Sequence, residues 1–138
     1  MGLRPPSQSK DFTSWHTLKS EIQTRAHRAN FEEREIWFCY LGLNLGFEQD
    51  GGGADRLRPV IIIKKFSHEV FWGVPLTSAT KRLQHPYYFQ FQFTPDQQST
   101  AILTQLRLLD SMRLKYRTGS LTDTDFQLIK SKITQLIA

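Results

Sequence analysis

The stretch "GFEQDGGGADRLRPVIII", residues 46–63, sets a carboxylate and an amide, Glu48 and Gln49, ahead of three successive glycines, and a guanidinium, Arg58, directly before a run of branched aliphatics. Further along, Thr77 and Ser78 close a second apolar run, and Gln105 and Arg107 stand within a third. All are polar groups at the edges of strand-like segments. Their types can grip an anion, donate to one, and hold or move a proton. Taken singly they also have plainer readings: Arg58 beside a proline is a solvated cation at a strand start, and Thr77 with Ser78 is a turn.

Other chemistries find no support in the spacing. The histidines at 16, 27, 68 and 85 lack metal-ligand spacing and Cys39 has no partner cysteine, so no metal site is expected. The glycines do not make a phosphate loop, because no GK[ST] follows them and they lead into a strand where a helix amino terminus would be needed. No cofactor is expected.

A chain of 138 residues with 39% hydrophobic side chains reads as one globular domain with a modest core. Its net charge of +5 makes a polyanion a better partner than a cationic surface. Cys39, inside the apolar run "IWFCYLGL", reads as a small buried hydrophobe, and the lack of any internal disulfide fits a reducing compartment. No apolar stretch reaches the roughly 20 residues of a membrane span, and "MGLRPPSQSK" lacks the apolar centre of a signal peptide. A cytoplasmic protein is expected.

Positioning the polar groups falls to a series of short elements. Residues 1–10, with Pro5 and Pro6, read as a disordered start. From Asp11, placed as a cap, Phe12, Trp15, Leu18, Ile22 and Ala26 recur at the spacing of one helix face and predict a helix over 12–28, with Trp15 as a packing residue. Strands are predicted over 36–43, through "RPVIIIKKF", whose branched residues favour the pleated conformation, and through "EVFWGVPLTS", close enough behind it for a hairpin. In "YYFQFQFT", Phe89, Phe91 and Phe93 alternate with Gln90 and Gln92, one face buried and one wet. Residues 101–109 fit either a helix, on Ile102, Leu106 and Leu109, or a strand, on Leu103, Gln105 and Arg107. Thr122 and Asp125 suit a capping box ahead of a final helix striped by Phe126, Ile129, Ile133 and Leu136. Short strands closed by a helix imply an α+β fold, mainly β, with a small and strongly curved barrel-like sheet.

The order of these pieces resembles the MazF/PemK toxins of type II toxin–antitoxin systems. That family carries a segment like "EIWFCYLG", here residues 35–42, then Glu-Gln before a glycine-containing loop, here Glu48 and Gln49, and Arg-Pro before an aliphatic strand, here Arg58 and Pro59. A "PLTS" element follows at 75–78, and a Gln-x-Arg in an apolar stretch soon followed by Asp is matched by Gln105, Arg107 and Asp110. The resemblance spans residues 34–138 and leaves 1–33 as an N-terminal extension carrying the first helix. It implies an SH3-like barrel with a C-terminal helix, a strand at 101–109, a homodimer with RNA near the dimer interface, a cognate antitoxin, and metal-free cleavage of single-stranded RNA.

In such cleavage the ribose 2′-hydroxyl attacks the adjacent phosphorus, so the site must take that proton, give one to the leaving 5′ oxygen, and stabilise added negative charge. Under the resemblance Arg58 holds two phosphate oxygens in its fork, Thr77 donates to a third, and Glu48 accepts the proton or orients Arg58. Ser78, Gln105, Arg107 and Gln49 suit contact with an extended strand, and Lys81 and Arg82 add charge beyond the turn. Gly51, Gly52 and Gly53 are expected to let the loop open for a nucleic-acid strand or an antitoxin peptide, or close over it, beside an Arg58 held by the stiff "VIII".

The family commonly has an acidic residue just before the glutamine of Gln-x-Arg; here Thr104 stands there, and a hydroxyl does not do a carboxylate's work at neutral pH. Two further readings follow. One is a catalytically weak module that binds RNA or an antitoxin on the same barrel. The other is a gyrase-directed toxin of the CcdB type, from which this chain departs because "TQLIA" lacks the expected Trp-Gly-x-x ending.

Overall fold

Val60, Ile61, Ile62 and Ile63 are all buried, so the strand that carries them is covered on both faces. The computed structural model describes residues 10–25, 27–44, 50–52, 56–78 and 86–138. Among them run helix α1 (Phe12–Gln23) and strands β1 (Glu35–Tyr40), β2 (Leu57–Lys65), β3 (Val70–Thr77), β4 (Tyr88–Thr94) and β5 (Gln97–Ile102). A 3-10 turn at Leu103–Gln105, β6 (Arg107–Asp110), a second 3-10 turn at Ser111–Arg113, β7 (Leu114–Ser120) and helix α2 (Asp123–Ile137) complete the order.

The strands pair antiparallel in the order β4-β5-β3-β2-β1-β7, and β6 also pairs with β3. One edge of β3 therefore holds β2, while the other holds β6 along Val70 to Gly73 and β5 at Leu76 and Thr77. The path curls until its two ends approach: a Cβ on Gly119 of β7 would lie 3.5 Å from the Phe93 ring of β4. This is the α+β, barrel-like sheet expected from the sequence.

The period of two along β2 splits its aliphatics between two cores. Ile61 and Ile63 join Val74, Leu76, Phe89 and Phe91 under Phe126, Ile129 and Ile133 of α2. Val60 and Ile62 join Trp37, Cys39, Phe71, Leu109 and Leu114 on the opposite face. The hairpin predicted between the two aliphatic runs is present, with Val60 opposite Pro75 and Ile61 opposite Val74. At α2 the Thr122 hydroxyl accepts the Asp125 amide at 3.1 Å, as the capping pattern predicts.

Three boundaries differ from expectation. Helix α1 starts at its Asp11 cap but ends at Gln23, short of residue 28. The Thr24 hydroxyl donates to the Glu21 carbonyl at 2.8 Å, and the chain then leaves the helical path so that Arg28 reaches Asp110 and Phe31 packs on Phe71. β1 stops at Tyr40 because Gly42, at φ +71°, turns the backbone beneath Trp15. Residues 101–109 are neither one helix nor one strand: β5 and β6 lie along different halves of β3, and the 3-10 turn between them spans the gap. Pro75 stands between the two paired stretches of β3 and has no N–H for a ladder there.

Candidate functional site

Arg58 sits near the start of β2, opposite Cys39 of β1. The β2–β3 ladder ends at Val60 opposite Pro75, and the same register carried two residues outward brings Arg58 level with Thr77 at the end of β3. Here the side chain replaces the ladder. Arg58 Nη1 donates to the Leu76 carbonyl at 3.0 Å, and Nε donates to the Asp50 carbonyl at 2.7 Å. Two carbonyls thus orient the guanidinium against the residue that precedes Thr77, and both Arg58 and Thr77 are half-buried. The guanidinium and the hydroxyl expected to work together stand at adjoining strand ends.

The row continues across the sheet. Thr77 is opposite Thr100 of β5, Thr100 is opposite Gln90 of β4, and the Gln90 amide donates to Gln98 Oε1 at 2.7 Å. This polar strip lies on the opposite sheet face from Phe89, Phe91 and Ala101, which fill the core under α2. The sequence reading assigned no role to Thr100, Gln90 or Gln98; the alternation of glutamines with phenylalanines marked the wet face but not its neighbour.

The segment before Arg58 is held by close backbone pairing. Gly52 and Leu57 exchange both backbone hydrogen bonds, at 2.6 and 2.8 Å, and the Gly51 amide donates to the Gly42 carbonyl at 2.8 Å. A Cβ on Gly51 would overlap the Arg56 carbonyl, so this glycine permits close approach of two backbones and is not there to loosen a loop. Gly53 lies outside the described residues. Asp50 is buried; its Oδ1 accepts the Asn44 amide at 2.6 Å, and its Oδ2 pairs with Lys10 Nζ at 3.1 Å. Lys10, which the sequence assigned to a disordered start, is therefore anchored to the segment that precedes the strand carrying Arg58.

The remaining expected residues divide. Ser78 is exposed just beyond β3. Gln105 is half-buried on the 3-10 turn and not in a strand, and Thr104 before it is exposed. Arg107 opens β6 opposite Gly73, four residues back along β3 from Thr77, or roughly 13 Å at the usual strand rise. Glu48, Gln49, Lys81 and Arg82 lie outside the described residues. Asp110 binds Arg28, which also donates to the Ser111 hydroxyl at 2.9 Å. Burial raises the Asp110 carboxyl, but bonds from Arg28 and the Met112 amide outweigh it and hold the group below the usual range.

Arg113 was missed by the sequence reading. Its Nη1 donates to the Tyr40 carbonyl at 2.8 Å, and burial together with the nearby Arg107 charge lowers its pKa. Cys39, although opposite Arg58, is fully enclosed; burial pushes its thiol up and keeps it a neutral packing group. Among the described residues no group of three or more His, Cys, Asp or Glu side chains is arranged to hold a metal ion. None of the described helices is long and apolar enough to cross a membrane.

The fold has solved counterparts. MazF from Deinococcus radiodurans aligns with a TM-score of 0.62 at 15% identity, covering 80% of this chain and 97% of that one. An endoribonuclease in complex with its cognate antitoxin from a mycobacterial species aligns at 0.58 and 13% identity, covering 78% and 95%. The MazE–MazF complex from Deinococcus radiodurans aligns at 0.60 and 13% identity, covering 80% and 97%. At these identities the likeness speaks for the fold. No curated protein matches the chain. Residues 32–137 match the family described as the PemK-like, MazF-like toxin of type II toxin–antitoxin systems. With most of its length inside that match, the chain belongs to this toxin family.

Proposed function

We propose that the chain is a metal-independent endoribonuclease toxin that cleaves single-stranded RNA in the cytoplasm, acts as a homodimer and is held in check by a cognate antitoxin. The observation that carries this reading is the meeting of Arg58 with the Leu76 carbonyl directly before Thr77. In the proposed reaction the 2′ oxygen forms a bond to phosphorus as its proton passes to a base, and the bond to the 5′ oxygen breaks as that oxygen takes a proton. The products are a 2′,3′-cyclic phosphate and a 5′-hydroxyl.

Arg58 and Thr77 are assigned to the phosphoryl oxygens, where one pre-aimed donor typically contributes ~10²- to 10³-fold. Two backbone carbonyls holding the guanidinium mean that little reorganisation is needed when charge develops. Glu48 is assigned as proton acceptor or as the carboxylate that steers Arg58, and Ser78, Gln105, Arg107, Gln49, Lys81 and Arg82 as contacts along the strand. Residues 1–33, with α1, are read as an extension outside the toxin domain. The exposed Thr104 favours a second reading, a module that binds RNA or antitoxin but cuts slowly for want of a carboxylate.

Incubation with mixed-sequence RNA in EDTA, alongside Arg58→Ala, separates the two. Cutting to cyclic-phosphate ends that disappears in the variant supports the nuclease. Intact RNA that is nonetheless bound by the wild type refutes it and favours the module.

A further inference from the structure

We propose that residues 10–22 are a positioning element for Arg58, in which Lys10 and Trp15 clamp the two sides of the β1–β2 connection and so hold the Asp50 carbonyl that receives the Arg58 Nε–H. The proposal rests on the reading of Arg58 as the phosphate-gripping group. Both clamping residues precede residue 32, where the family match begins, so the device belongs to this chain's own extension.

The clamp has two jaws. Lys10 Nζ pairs with Asp50 Oδ2 at 3.1 Å and donates to the Asn44 carbonyl, with only 11% of the lysine and 8% of the aspartate side chain exposed. Asp50 in turn takes the Asn44 amide at 2.6 Å on its carboxylate and Arg58 Nε at 2.7 Å on its carbonyl. On the other side the Trp15 indole occupies the place a Cβ on Gly42 would fill, and the Gly42 carbonyl accepts the Gly51 amide at 2.8 Å. The backbone at Gly42 and the backbone at Asp50 are thereby joined by one helix-bearing segment.

The sheet does not need this segment to complete its cores. Trp15 and Ile22 form a separate small cluster with Tyr40 and Leu43, apart from the two cores that flank β2. The segment packs on the end of β1, the start of β2 and Met112, and it also grips the connection that leads to Arg58. Removing the Lys10 charge leaves a carboxylate this enclosed under-compensated, which favours a shift of the segment that exposes it to water. A backbone shift at Asp50 that carries its carboxylate outwards also moves the carbonyl on which Arg58 Nε rests, while the Leu76 carbonyl still holds Nη1. A reacting group displaced by about 1 Å can lose on the order of 10²-fold in rate.

The test uses the full chain with Lys10→Met, which keeps the stem but not the charge, and Lys10→Arg, which restores it. Exchange of the Arg58 Nε–H with water is followed by NMR, its resonance assigned with Arg58→Lys, and single-turnover RNA cutting in EDTA is measured beside RNA affinity. Lys10→Met is expected to speed the exchange and slow cutting each by about tenfold, with affinity held, and Lys10→Arg to recover both. Unchanged exchange in Lys10→Met overturns the clamp; faster exchange with unchanged cutting overturns its bearing on the reaction. If the wild type cuts no RNA, the nuclease reading fails while the exchange still decides whether Lys10 positions Arg58. Should Lys10→Met not fold, Lys10→Gln, which keeps a donor for the Asn44 carbonyl, carries the same comparison.

Discussion

Replacing Arg58 by lysine keeps the charge and removes the fork, which makes Arg58→Lys the sharpest probe of how the site works. A guanidinium has five N–H donors in one plane. Two of them reach carbonyls on separate segments, Asp50 in the β1–β2 connection at 2.7 Å and Leu76 of β3 at 3.0 Å, and the proposed reaction needs others for a phosphate. An ammonium places its donors on a single atom, so it cannot span both carbonyls and also face an anion. The loss of one charge-assisted bond from the transition state is about 1.5–3 kcal/mol. At 1.36 kcal/mol per tenfold, that is roughly a 10- to 150-fold slower cutting step.

Binding should respond differently. With the cation retained, the dependence of RNA affinity on salt should match the wild type, whereas Arg58→Ala should flatten the slope by about 0.7, the contribution of one phosphate contact on a single strand. Single-turnover cutting in EDTA and a salt series of binding curves provide both quantities, and circular dichroism checks the fold. If the lysine variant cuts as fast as the wild type, the fork has no part in the reaction and the argument from its two carbonyl anchors fails.

Thr77→Val keeps the branched shape but deletes the hydroxyl, and should slow cutting by about 10²-fold, while Thr77→Ser retains most of the rate; equal rates for all three would remove Thr77 from the site. Gly42→Ala adds a methyl where the Trp15 ring lies and asks an L-residue to hold φ +71°. Strain and overlap together should lower unfolding free energy by about 2–5 kcal/mol, read as a fall in the urea midpoint; an unmoved midpoint would mean that the ring is seated elsewhere. Arg28→Met tests the Asp110 pair through pH. Because the folded Asp110 carboxyl lies below its ordinary value of 3.8, its contribution is present above that value and is lost as pH falls through the lower folded one. The stability gap between wild type and variant should therefore be widest near neutrality and close in strong acid, and a gap that persists in acid would point to packing and not to the ion pair.

Much of the fold was legible from short windows. Branched runs and strict alternation marked β2, β3 and β4, Thr122 and Asp125 marked the start of α2, and a short turn joined β2 to β3. The Arg58 and Thr77 relation follows from the same locality: the hairpin register that pairs Ile61 with Val74 leaves the two residues level at its open end. Helix α1 showed its beginning through Asp11 but not its end, because the stop depends on where Arg28 and Phe31 find partners.

The amino-acid sequence by itself determined which segments are pleated, which side chains alternate inwards, and that a cation and a hydroxyl would share the mouth of one hairpin; local periodicity and steric preference are enough for that. Tertiary structure alone decided that Lys10 would meet Asp50, that residues 101–109 would break over Pro75 into two strands, and that Thr100, Gln90 and Gln98 would extend the polar row from Thr77. Those are contacts between residues far apart along the chain, chosen by how the sheet curls and which cores close, and no window of neighbouring residues contains them.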